Sequence, residues 1–185
     1  LIAALTTTVG LVFTAYGQHQ QNLSKFLSDW IDSLRKEASE YVSIINMISL
    51  LWDTELEIKN SKSKNEVREL TADELKSFRI EHKDAYIRML ESQNSIILRL
   101  HTNDSKSYEG ILKKKLTQTT NRFIGNEPSC SIVNKKKTAE NTTTNELEGI
   151  LELVEQIIRR ERTKIEKGKI FRLIMVFTSQ LISVL

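Results

Sequence analysis

A single cysteine, Cys130, leaves this chain no intramolecular disulfide, which suits a reducing compartment. No histidine or cationic pattern beside it would activate a thiolate. One proline and six glycines in 185 residues provide little of the turn chemistry a sheet protein needs, so helix is the expected state nearly throughout. Charge of one sign is missing as well. The 27 Lys and Arg against 24 Asp and Glu give a net +3, too even for a dedicated nucleic-acid binder. There is no glycine-rich phosphate loop, no cysteine pair for zinc, no histidine and glutamate metal motif, and no serine in a nucleophile elbow. Carboxylates such as Glu55, Glu57, Glu152 and Glu155 stand among lysines at exposed helical spacings, where ion pairs on a solvated face account for them. The expectation is a non-enzyme with no cofactor, metal or small-molecule substrate. The length allows one ordinary domain, or a small one with membrane anchors.

What is present is organised by the C-terminal end. Arg159, Arg160, Arg162, Lys164, Lys167, Lys169 and Arg172 crowd together, and residues 170–185 then turn almost wholly apolar. Phe171, Leu173, Ile174, Val176, Phe177 and Leu181, with Met175, Ile182, Val184 and Leu185, would cover every face of a helix, whereas a globular helix keeps one face polar. This predicts a membrane helix over 170–185. Its length is below the roughly 20 residues that a ~30 Å hydrocarbon core asks for, so the segment is expected to continue beyond Leu185; a buried core helix is the competing reading. The flanking cations mark a cytoplasmic side and favour lipid headgroups over nucleic-acid phosphate.

Residues 1–17 carry no charge. Leu5, Val9, Leu11, Val12 and Phe13 stand among Thr6, Thr7, Thr8 and Thr14, whose hydroxyls can bond back to helix carbonyls. A first membrane helix is predicted here, with Tyr16 as an interfacial aromatic and further residues expected before Leu1. A cleaved secretory signal would need a basic leader and a small-residue cleavage site, and neither is visible.

Between these ends the expected fold is all-α: long antiparallel helices forming a cytosolic bundle or stalk over residues 18–169, flanked by the two membrane helices. Helices are predicted over about 22–58, 71–102, 106–124 and 144–169, with a loop at 125–142. In the first, Leu23, Leu27, Trp30, Leu34, Tyr41, Ile45, Ile48 and Trp52 recur by threes and fours. Glu37 and Ala38 are its weak layer. At ~1.5 Å per residue this helix would run some 50 Å, long for a compact domain. The second has a capping box, Thr71 with Glu74, and a hydrophobic staple, Leu70 with Leu75. Its stripe places His82 and Gln93 in line with Phe78, Ala85, Met89 and Ile96. Polar residues there can fix register or oligomer state; a pH switch or metal site at His82 is the alternative, although His19 and His101 make no ligand spacing with it. Thr143 and Glu146 form a second candidate capping box, and Gly168 is a candidate hinge before the last segment. Trp30, Leu34, Tyr41, Ile45, Ile48, His82, Met89 and Gln93 together make the expected helix-helix or oligomer seam.

The apolar start followed by Trp30, Ile31, Asp32, Ser33, Leu34 and Arg35 resembles small bacterial and prophage membrane proteins. With a second apolar segment after a helical domain, the layout is similar to the two-transmembrane effectors of bacterial anti-phage systems, among them the membrane effector of certain retrons. That resemblance implies an inner-membrane protein with a cytoplasmic middle. A complex of reverse transcriptase with RNA-linked DNA would hold it silent, and on phage attack it would permeabilise the membrane. It carries over no catalytic residue.

Three functions remain open on sequence: a self-associating membrane effector, a membrane-tethered scaffold recruiting a cytosolic partner, and a soluble bundle with its apolar ends folded inside. The expected partners are membrane lipid and a second copy or another protein.

Overall fold

The computed structural model describes residues 2–62, 71–100, 104–124 and 144–167, with side chains in the first stretch at Leu11, 14–59 and Ser61. These residues form helices only: α1 (Ile2–Lys62), α2 (Ala72–Glu81), α3 (Lys83–Arg99), α4 (Tyr108–Ile124) and α5 (144–167). No helix among the described residues is long and apolar enough to cross a membrane. The expected segment 170–185 and the loop 125–142 lie outside the described residues.

The chain divides into two compact units. One takes α1 as far as Ser33 together with α5 from Ile157 onward; the other spans Leu34–Gln156. In the second, Leu34, Ala38, Tyr41, Ile45 and Ile48 of α1 follow one another by four and three and are all buried, as one face of a helix must be when helices cover it. Leu75 and Phe78 of α2, Met89 and Ile96 of α3, Leu112 and Leu116 of α4, and Leu147, Ile150 and Val154 of α5 complete that core. Contacts at Trp52 with Phe78, Glu40 with Arg88, and Glu37 with Arg99 run α1 antiparallel to α2 and α3. Every buried side-chain nitrogen or oxygen among the described residues has a hydrogen-bond partner.

Two helix starts are built locally. Ahead of α2, the Thr71 amide donates to Glu74 Oε2 at 2.8 Å and the Glu74 amide donates back to Thr71 Oγ1 at 3.4 Å, which is the predicted capping box. These hydrogen bonds, with Lys59 nearby, hold the Glu74 carboxyl below its ordinary value. Ahead of α4, the Lys106 amide donates to Asp104 Oδ1, Ser107 Oγ donates to the Asp104 carbonyl, and the Gly110 amide donates to Ser107 Oγ at 3.1 Å. Gly110 is required there, because a Cβ would collide with the Asp104 carbonyl oxygen.

The observed boundaries differ from the predicted ones in two places. The first apolar stretch and the next helix are one unbroken α1, since Gln18 to Asn22 supply polar residues that a helix surface accepts. The helix expected over 71–102 is two, divided at His82 (φ −102°, ψ 25°), whose ring packs edge-on against Phe78 at 4.4 Å.

Gly110→Ala should destabilise the second unit by about 1–3 kcal/mol, as overpacking does. Chemical denaturation followed by circular dichroism would measure it, and an unchanged midpoint would contradict the close approach of Asp104.

Candidate functional site

The layer of α1 that looked weakest in sequence is the most specifically wired. Ala38, fully buried, presents only a methyl group. Beside it Ser92 Oγ of α3 donates to the Glu37 carbonyl oxygen at 3.0 Å, and Arg99 grips the Glu37 carboxylate with Nε and Nη2, each at 2.7 Å. A bidentate guanidinium and carboxylate pair fixes direction as well as distance. Burial pushes the Glu37 carboxyl up, but the hydrogen bonds from Arg99 and Ser95 and their positive neighbours outweigh it and hold the group below its ordinary 4.5. Arg88 with Glu40, Arg35 with Glu155, and Arg122 with Glu146 add further interhelical pairs. These are more exposed and individually contribute little.

One turn further along α1, the Tyr41 hydroxyl enters the core. It donates to the Leu116 carbonyl at 3.3 Å and lies 2.8 Å from Thr120 Oγ1. Burial pushes this phenol up to about 12 against the opposing pull of the Thr120 hydrogen bond, so it remains a neutral donor at physiological pH.

Of the seam residues expected from sequence, Leu34, Tyr41, Ile45, Ile48 and Met89 are 0–1% exposed within this one chain. Gln93 is buried with them, Trp30 belongs to the other unit and is half-buried, and half-buried His82 is the junction residue between α2 and α3. Glu146 accepts from Arg122; Thr143, its expected partner in capping α5, and Leu70 lie outside the described residues.

The basic cluster belongs to the unit formed by the start of α1 and the end of α5. Arg159, Arg160, Arg162, Lys164 and Lys167 are all exposed. Arg160, Lys164 and Lys167, spaced by four and three, share one face of α5. Lys164 pairs with Glu161, a turn away. In the same unit Leu11 is 67% exposed and Phe26 61%, with Leu23 also exposed. The side chains of Leu5, Val9, Val12 and Phe13 are not among those described, and Lys169, Arg172, Phe171, Leu173, Ile174, Val176, Phe177 and Leu181 lie outside the described residues.

Sequence reasoning missed the Glu37, Ser92 and Arg99 clasp. Its available signal was a carboxylate beside an alanine inside an otherwise large apolar stripe. No group of three or more histidine, cysteine, aspartate or glutamate side chains among the described residues is placed to hold a metal ion. Comparison of the chain with protein-family models, with curated proteins and with solved structures finds no match.

Because the Glu37 carboxyl is depressed, its contribution to stability is complete above about pH 4.5 and is lost as pH falls through the lower folded-state value. Glu37→Gln should cost about 1 kcal/mol at neutral pH, after allowing for the water that reaches Arg99. It should also flatten the acid limb of stability. Denaturation midpoints taken between about pH 3 and about pH 6 test this, and parallel acid limbs for the two proteins would contradict it.

Proposed function

We propose that this chain is a non-catalytic, membrane-anchored helical effector that perturbs the membrane once released from a restraining partner. The observation that carries the reading is that the charge-free first 17 residues pass without a break into α1, the helix whose next face is buried in the bundle core. No loop intervenes along α1. The exposed cations of α5 and the exposed Leu11, Leu23 and Phe26 support a lipid-facing role for the same unit.

In this reading the two anchors are the start of α1 and residues 170–185, with the bundle on the cytoplasmic side of a bacterial inner membrane. The hydroxyls of Thr6, Thr7, Thr8 and Thr14 in the first, and the hydroxyls of Thr178 and Ser179 and the Gln180 amide in the second, can hydrogen-bond between membrane helices when copies assemble. The layout shared with two-transmembrane anti-phage effectors extends the proposal to abortive infection, with a reverse transcriptase and its RNA-linked DNA as the restraint.

Induced expression in a bacterial host, with membrane fractionation and a potential-sensitive dye, is the test. The protein should resist carbonate washing, require detergent for extraction, and depolarise the cell. Release by carbonate would overturn the anchoring. Unchanged polarisation, with protein in the membrane and one stoichiometric partner captured, would make the chain a tethered scaffold instead. Arg160→Glu with Arg162→Glu should weaken retention, each cation being worth about 1 kcal/mol near anionic lipid. Retention and topology unchanged in a reporter fusion would count against the assigned basic flank.

A further inference from the structure

Leu34, Tyr41, Ile45, Ile48, Met89 and Gln93, six of the eight side chains that looked in sequence like an oligomer seam, are buried inside the chain, so association between copies needs another surface. Helix α3 supplies one on the side away from its buried row of Ala85, Met89, Ser92, Gln93 and Ile96. At 3.6 residues per turn, Ile87, Glu91, Asn94 and Leu98, separated by four, three and four, fall on the opposite pole. All four are exposed, Leu98 at 83% and Ile87 at 40%. An apolar group at a helix pole this open to solvent departs from the usual amphipathic pattern.

Read in order, the row is apolar, acid, amide, apolar, and its spacing is symmetrical about a point between Ser92 and Gln93, so that reversing it sets apolar against apolar and acid against amide. We propose that this row is the contact between two copies of the chain, with α3 lying antiparallel against α3 of the second copy about a two-fold axis. Ile87 of each copy then meets Leu98 of the other, and the Asn94 amide of each donates to the Glu91 carboxylate of the other. An isologous contact requires a patch complementary to itself, and this row meets that requirement in the antiparallel sense, where Glu91 faces Asn94. A parallel pairing would set Glu91 against Glu91, and opposed like charges are unfavourable.

The patch is small. A helix of 17 residues is about 25 Å long, and one row along it covers far less than the ~800 Å² per partner of a stable complex. The contact is therefore weak in dilute solution and fills where copies are concentrated on one surface. That last step rests on the membrane reading above; the two-fold pairing itself does not.

The test uses the full chain in mild detergent, with sedimentation measured over rising concentration. The unmodified chain should pass from monomer to dimer. Ile87→Glu with Leu98→Glu, and separately Ile87→Lys with Leu98→Lys, should each raise the midpoint concentration by about ten-fold or more, with helical content unchanged because both positions face solvent. An equimolar mixture of the acidic and basic chains should recover the dimer. In a Cys130→Ser background, chains carrying Ile87→Cys mixed with chains carrying Leu98→Cys should give a mixed disulfide, and neither should cross-link alone. A monomer at every concentration, or midpoints indifferent to the charged variants, would overturn the contact and leave the row for a different partner. Cross-linking of Ile87→Cys chains with one another would overturn the antiparallel sense. Release of the protein by carbonate, with dimerisation intact, would end the membrane reading and leave this one standing.

Discussion

A carboxylate inside an apolar seam sets the register of the second unit. Of the five layers on the inner face of α1, Leu34, Ile45 and Ile48 are purely aliphatic and could slide past their neighbours by a turn at modest cost. Glu37 cannot. Its carboxylate needs the Arg99 fork, its carbonyl takes the Ser92 hydroxyl, and the small Ala38 next to it lets α3 come close enough for both. A one-turn slip would leave a partly buried charge without its counterpart, which costs far more than the pair contributes when made. The clasp therefore matters more for selecting one arrangement than for adding stability, and the Tyr41 hydroxyl plays the same part toward α4.

How much of this was legible in the sequence depended on distance along the chain. The α2 capping box involves residues three apart and was readable outright. The stripe of α1 was readable because a period of threes and fours needs no knowledge of the partner helix. Glu37 and Arg99 lie 62 positions apart, and no local pattern ties them. The division at His82 was also hidden, since neither glycine nor proline occurs between Thr71 and Leu100. At the start of α4 the need for Gly110 was hidden as well, because what it accommodates is the Asp104 carbonyl oxygen, a backbone atom with no sequence signature. On α3 the regular inward row drew attention from the outward one, although Ile87 and Leu98 stood in plain view.

The functional surfaces contrast with this well-satisfied interior. Among the described residues the core leaves no buried side-chain polar atom without a partner, while the outside keeps large apolar groups at Leu11, Phe26, Leu50 and Leu98 and a dense run of cations on α5. Isolated exposed leucines are ordinary. Their concentration beside exposed cations in one unit, and in a self-matching row on one helix of the other, is what gives them meaning.

The chain's two tryptophans fall one to each unit, Trp30 in the first and Trp52 in the second, where the Trp52 ring meets Phe78 edge-on with centroids 5.0 Å apart. Indole emission thus carries two separable optical signals. Replacing either ring by phenylalanine leaves a single native fluorophore reporting on one half of the molecule, so that loosening of one unit ahead of the other becomes visible without any attached dye.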